Sequence, residues 1–118
     1  MSKNSEYNTE YPNYYAVISS AVRYDHDLCP NAKLLYGEIT ALSNKEGFCW
    51  AENKYFAELY SVTKTSISKW ISQLSKKDYI NVKFTYKPNS KEIDKRLLTI
   101  ITHPIEDKLN TPITKVKG

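Results

Sequence analysis

Two segments of helical periodicity meet across only two residues. In KYFAELY (residues 54–60) the apolar Phe56, Leu59 and Tyr60 fall to one side, and Ala57 is small enough to let another helix pass close. In TKTSISKWISQLSKK (residues 63–77) Ile67, Trp70, Ile71 and Leu74 recur at helical spacing. Only Ser61 and Val62 separate the two. Asn53 is read as the cap of the first segment, and the Thr63 hydroxyl is placed to cap the second over the amides of Thr65 and Ser66. Helices joined by so short a turn must cross steeply, which is a helix-turn-helix arrangement.

The flanking sequence completes a single domain. Upstream, Pro30 and Asn31 give a stop-and-cap signal, and AKLLYGEITALS (residues 32–43) sets Ala32, Leu35, Tyr36, Ile39 and Leu42 on one stripe, predicting a first helix. Gly37 inside that helix costs about 1 kcal/mol against Ala, so either a neighbouring backbone approaches there or the position is merely tolerated. YYAVISSAV (residues 14–22) is rich in aromatic and β-branched residues and suggests a short strand, and FCW (residues 48–50) a brief buried one. Downstream, DYINVKFTYK alternates Ile80, Val82, Phe84 and Tyr86 with polar residues, as a half-buried strand does; residues 88–95 form a loop, and RLLTIIT (residues 96–102) returns as a second strand. Three helices followed by a β-hairpin make an α+β winged helix-turn-helix domain over residues 14–102. Residues 1–13 are expected to be a flexible tail. Residues 103–118, with Pro104-Ile105 and Pro112-Ile113 eight apart, are expected to be a linker-like tail.

Charge is divided along the chain. Residues 1–60 carry 5 basic and 8 acidic side chains, a net −3, whereas residues 61–118 carry 12 and 5, a net +7. From Ser61 to Lys77 there is no Asp or Glu, although a solvent-facing helix ordinarily mixes both signs for i,i+4 pairing. With its apolar side buried, the second helix of the pair shows Lys64, Thr65, Ser68, Lys69 and Ser72. A face of short polar and flexible basic side chains suits a DNA major groove, which is about 12 Å wide and admits a helix. Thr63, Ser66 and Lys76 complete the candidate contacts on this element. Lys87, Lys91, Lys95 and Arg96 ring the expected hairpin loop, within reach of a phosphate backbone or the adjacent minor groove. The plainer reading of the helix is a core element with a neutral solvated back, and that of the lysines a guard against edge pairing.

Other chemistries find little in the sequence. His26 and His103 are isolated, Asp25 and Asp27 read as loop or capping residues, and there is no Gly-rich phosphate loop, so no catalytic residues are expected. Cys29 and Cys49 lack metal-ligand spacing and are read as small hydrophobes, with no metal or cofactor expected. Tyr36, Tyr55, Tyr60 and Tyr79 fall in or beside the apolar stripes and are read as core rather than as base-stacking platforms. Without an 18-residue apolar run or a signal sequence, the expectation is a cytoplasmic protein with no membrane partner.

The stretch from Tyr14 to Ile80, and most specifically KLLYGEI, CWAENKYFA and SISKWISQL, resembles the N-terminal helix-turn-helix domain of phage and prophage replication initiators of low-GC Gram-positive bacteria, the replisome organisers related to DnaD-like primosomal proteins. The resemblance covers about residues 14–102. It implies a winged-helix domain that binds double-stranded DNA at repeated origin sites, with self-association on those sites. It also implies recruitment of a replicative helicase or its loader by a separate C-terminal region outside this sequence. Lys64, Thr65, Ser68 and Lys69 fall where such domains place the recognition helix. In two places the sequence departs from that family, which tends to have Gly where this chain has Ser61 and Asp78. A transcriptional repressor using the same surface, or a winged-helix protein-interaction module, are the alternatives.

Overall fold

The computed structural model describes residues 15–102; the expected tails at 1–13 and 103–118 lie outside the described residues. The order is α1 (Ser20–Arg23), α2 (Pro30–Ser43), α3 (Asn53–Tyr60), α4 (Lys64–Lys76), β1 (Ile80–Tyr86) and β2 (Ile93–Ile100). This is the expected α+β winged helix-turn-helix, with one more helix than the three anticipated.

The extra helix replaces the strand expected at residues 14–22. Ser19 accepts a hydrogen bond from the Val22 amide and caps a single turn, α1, which carries Val22 into the core. The residues before it find no strand partner among the described residues and instead lie across α2. There the Val17 amide donates to Thr40 Oγ1 at 2.9 Å. This crossing accounts for Gly37: a Cβ at that position would stand 3.1 Å from both Ala16 Cβ and Ile18 Cγ1. The approach is made by side chains rather than by backbone.

Helix starts and stops are set locally. In α2 the cap position is Cys29, which makes no side-chain hydrogen bond, and Pro30 occupies the first turn, where its missing N–H costs nothing; Asn31 is not the cap. Likewise α3 is preceded by Glu52, and Asn53 is already helical instead of capping. Ser61 ends α3 in the left-handed region (φ 56°, ψ 48°), with the Val62 amide donating to the Ala57 carbonyl at 3.0 Å. Asp78 ends α4 the same way (φ 61°), with the Tyr79 amide donating to the Leu74 carbonyl at 3.0 Å. Both are Schellman-type terminations, which turn the chain sharply while satisfying helix-end carbonyls.

One core joins the elements. Leu35 and Ile39 of α2, Phe56 of α3, and Ile67 and Leu74 of α4 are fully buried with Ile80 of β1 and Leu98 of β2. Tyr36 is buried too, while Tyr55, Tyr60 and Tyr79 pack partly buried against the cluster. The expected strand at 48–50 shrinks to one residue. Cys49 exchanges both backbone hydrogen bonds with Leu98, at 2.8 and 2.7 Å, and ties the α2–α3 connection to β2.

The wing is longer than the sequence pattern implies. β1 and β2 pair antiparallel from Ile80 opposite Ile100 to Thr85 opposite Lys95, and Tyr86 then faces Ile93, so Asp94 bulges out. The bulge lets β2 begin at Ile93 rather than 96, and the turn closes with the Lys87 amide donating to the Glu92 carbonyl at 2.9 Å. The alternating apolar face is covered only at its base. Phe84, Tyr86 and Ile93 remain 42%, 55% and 51% exposed, because the helices end before the strands do.

Candidate nucleic-acid interface

The site begins with the cap of α4. Thr63 Oγ1 accepts from the Ser66 amide at 3.1 Å and donates to Ser66 Oγ at 3.1 Å, so this hydroxyl serves one amide, not the two anticipated. These bonds engage the Thr63 and Ser66 side chains at the helix start. With Ile67, Trp70, Ile71 and Leu74 turned inward, the opposite face is exposed at Thr65, Ser68, Lys69, Ser72 and Lys76. Lys64, Thr65, Ser68, Lys69 and Ser72 together line one open depression, joined by Asn53 from α3. Lys76 shares the helix face but lies outside that lining.

Lys77, the last basic residue of the acid-free run, is withdrawn from it. Its Nζ lies 3.2 Å from Asp25 Oδ2 and 3.0 Å from Asp27 Oδ2. The Tyr79 hydroxyl donates to Asp25 Oδ2 at 2.7 Å, and the Asp27 amide donates to Asp25 Oδ1 at 2.8 Å. That tyrosine bond is the main cause holding the Asp25 carboxyl below its usual pKa, with the Asp27 amide and Lys77 adding to it and desolvation opposing. Burial and the same carboxylate push the Tyr79 hydroxyl up to about 12. The two aspartates thus fasten the loop before α2 to the end of α4.

Arg96 does not sit at the wing tip. Opposite Phe84, it is on the face of the hairpin that carries Val82 and Leu98, turned toward the helices. Its Nη1 donates to Asn53 Oδ1 at 2.7 Å and its Nη2 to the Ala51 carbonyl at 2.8 Å, while Nε is buried without a partner among the described residues. Burial lowers the guanidinium pKa, though the group stays charged. Lys87 pairs with Glu92 at 3.1 Å across the turn, with both side chains largely exposed, so the pair is weak. Lys91 is exposed in the turn. Lys95 is on the opposite face of the hairpin from Arg96, and its Nζ lies 5.6 Å from the centre of the Trp50 ring. The four residues expected to ring the loop are thus divided among the turn (Lys87 and Lys91), the outer face (Lys95) and the inner face (Arg96) of the hairpin.

Asn53 and Trp50 were missed as site neighbours. Local sequence marks Asn53 only as a helix start, and its partner Arg96 is 43 residues away. Among the described residues no cluster of three His, Cys, Asp or Glu side chains is placed to hold a metal ion, and no helix is long and apolar enough to cross a membrane. Residues 26–80 match the family model of a helix-turn-helix domain, a span running from the loop before α2 to the first residue of β1. Neither a curated protein nor a solved structure matches the chain.

Proposed function

We propose that this helix-turn-helix chain binds double-stranded DNA, with α4 in the major groove and the hairpin wing against the neighbouring backbone. The observation that carries the reading is the α4 face: free of acidic residues, it gathers Lys64, Thr65, Ser68, Lys69 and Ser72 into one open depression. Hydroxyls and amines at the edge of a helix of this kind suit base edges and phosphates. Lys76, Lys87, Lys91 and Lys95 extend the positive surface to either side, and Thr63 and Ser66 fix the start of the helix that enters the groove.

On the resemblance of KLLYGEI, CWAENKYFA and SISKWISQL, the finer reading is origin recognition by a phage-type replication initiator in a bacterial cytoplasm. Copies would sit on repeated sites, and a replicative helicase or loader would be recruited by a further region. A repressor at an operator would use the same surface. A protein-interaction module is the reading from another class, and the exposed Phe84, Tyr86 and Ile93 are the observation that favours it.

Fluorescence anisotropy with labelled duplexes across a salt series tests the DNA reading. If Lys64 and Lys69 with two wing lysines neutralise about four phosphates, log K should fall against log salt with a slope of about −3 to −4. A flat response, or affinity unchanged when Lys64 and Lys69 are both replaced by Gln, would refute groove binding. Sequencing fragments selected by the protein from random DNA tests the origin reading, which expects a repeated motif.

A further inference from the structure

We infer that Asn53 is a DNA-contacting residue, whose side-chain amide donates to a phosphodiester oxygen, and that Arg96 is the residue that holds it in position. The inference rests on the duplex-binding reading above.

A guanidinium has only donors, so the atom of Asn53 that faces Arg96 Nη1 at 2.7 Å must be the carbonyl oxygen Oδ1. This settles the orientation of the amide on chemical grounds. Because the amide is planar, Nδ2 with its two hydrogens is directed away from Arg96, and no described residue accepts from it. Asn53 also lines the depression that holds Lys64, Thr65, Ser68, Lys69 and Ser72. A pair of donors fixed at the edge of a basic concavity fits an anionic oxygen.

The anchoring is stiff. Arg96 is clamped by a second bond to the Ala51 carbonyl, and β2, which carries it, is tied through both the N–H and the C=O of Leu98 to Cys49, only two residues before Ala51. These two bonds hold the guanidinium plane, and with it the Asn53 amide, in one orientation. A phosphate, not a base edge, is the expected acceptor, because Asn53 belongs to α3. In helix-turn-helix complexes the first helix of the pair crosses the backbone while the second enters the groove.

The test measures affinity of the full chain for duplex DNA across a salt series, with thermal melting of each variant. Asn53→Ala should weaken binding about tenfold on every sequence, without changing the salt slope, because a neutral amide releases no counterion. Asn53→Asp keeps an acceptor for Arg96, and so keeps the fold, but presents a carboxylate to the phosphate; it should bind more weakly still. Arg96→Met should match Asn53→Ala in affinity, again with an unchanged slope, and the double variant should bind no worse than either single one. If Arg96 itself met a phosphate, its loss would make the slope shallower by about 0.9, and that result would overturn the positioning role. Should Arg96→Met melt early, Asn53→Asp carries the decision. Wild-type affinity in both Asn53 variants, on a background of steep salt dependence, would overturn the Asn53 contact while leaving duplex binding intact. A wild-type chain that binds no duplex would overturn both.

Discussion

Ser61→Gly should stabilise the domain. Ser61 adopts φ 56° and ψ 48°, a left-handed conformation that costs an L-residue about 1–2 kcal/mol through the approach of Cβ to the following carbonyl. Glycine has no Cβ and adopts this conformation freely, but it also gains freedom in the unfolded chain, which offsets about 0.4–1 kcal/mol of the relief. The net expectation is a gain of about 0.5–1 kcal/mol. The side chain is exposed, so little packing is lost. For a domain of roughly a hundred residues that gain corresponds to about 2–8 °C in Tm. Urea unfolding is the assay: the midpoint should rise at constant m-value, since the surface exposed on unfolding is unchanged. Asp78→Gly should gain less, although its φ is 61°, because Asp populates the left-handed region more readily than Ser. Ser61→Val should lose stability, since a β-branched side chain is a true outlier there. No gain from Ser61→Gly, or a larger gain at Asp78, would refute the claim that strain at this turn is borne by the serine.

Two other outcomes are expected. Thr65→Ala or Ser68→Ala should erode discrimination between sites by about 1–3 kcal/mol per lost base contact, whereas Lys91→Ala should weaken all duplexes alike; competition binding with matched and mismatched sites checks this, and the reverse pattern would assign sequence reading to the wing. Because the Asp25 carboxyl titrates below its usual range in the folded state, its contribution to stability is fully present above the ordinary carboxylate pKa and is lost as pH falls through the lower folded value. Asn in place of Asp25 should therefore destabilise the domain at neutral pH by an amount that shrinks as the solution is acidified below the ordinary range, and a pH-independent difference in urea midpoint would count against the Tyr79–Asp25–Lys77 network as its source.

The three longer helices and their inward faces were legible because the information is local. Ile67, Trp70, Ile71 and Leu74 repeat at a period that only a helix converts into one face, and those are the residues that α4 buries. The acid-free outer face was equally readable, since a net charge along a helix needs no knowledge of its neighbours. The tightness of the turn after Tyr60 followed from counting two residues. What tertiary structure decided was everything that depends on a distant partner. YYAVISSAV has strand composition, but a strand needs a ladder; with none beside it among the described residues, Ser19 caps a helical turn and Ala16 and Ile18 cover Gly37 instead. Phe84 and Tyr86 continue the alternation of Ile80 and Val82, but the core they would pack on stops short of them, so identical patterning yields buried residues at one end of β1 and exposed ones at the other. Arg96 shows the same limit. Its charge marked it for a phosphate, whereas the parity of the hairpin register turned it inward onto Ala51 and Asn53. Periodicity and charge are written residue by residue along the chain, but burial and hydrogen-bond pairing are fixed only when segments far apart in sequence share the same space.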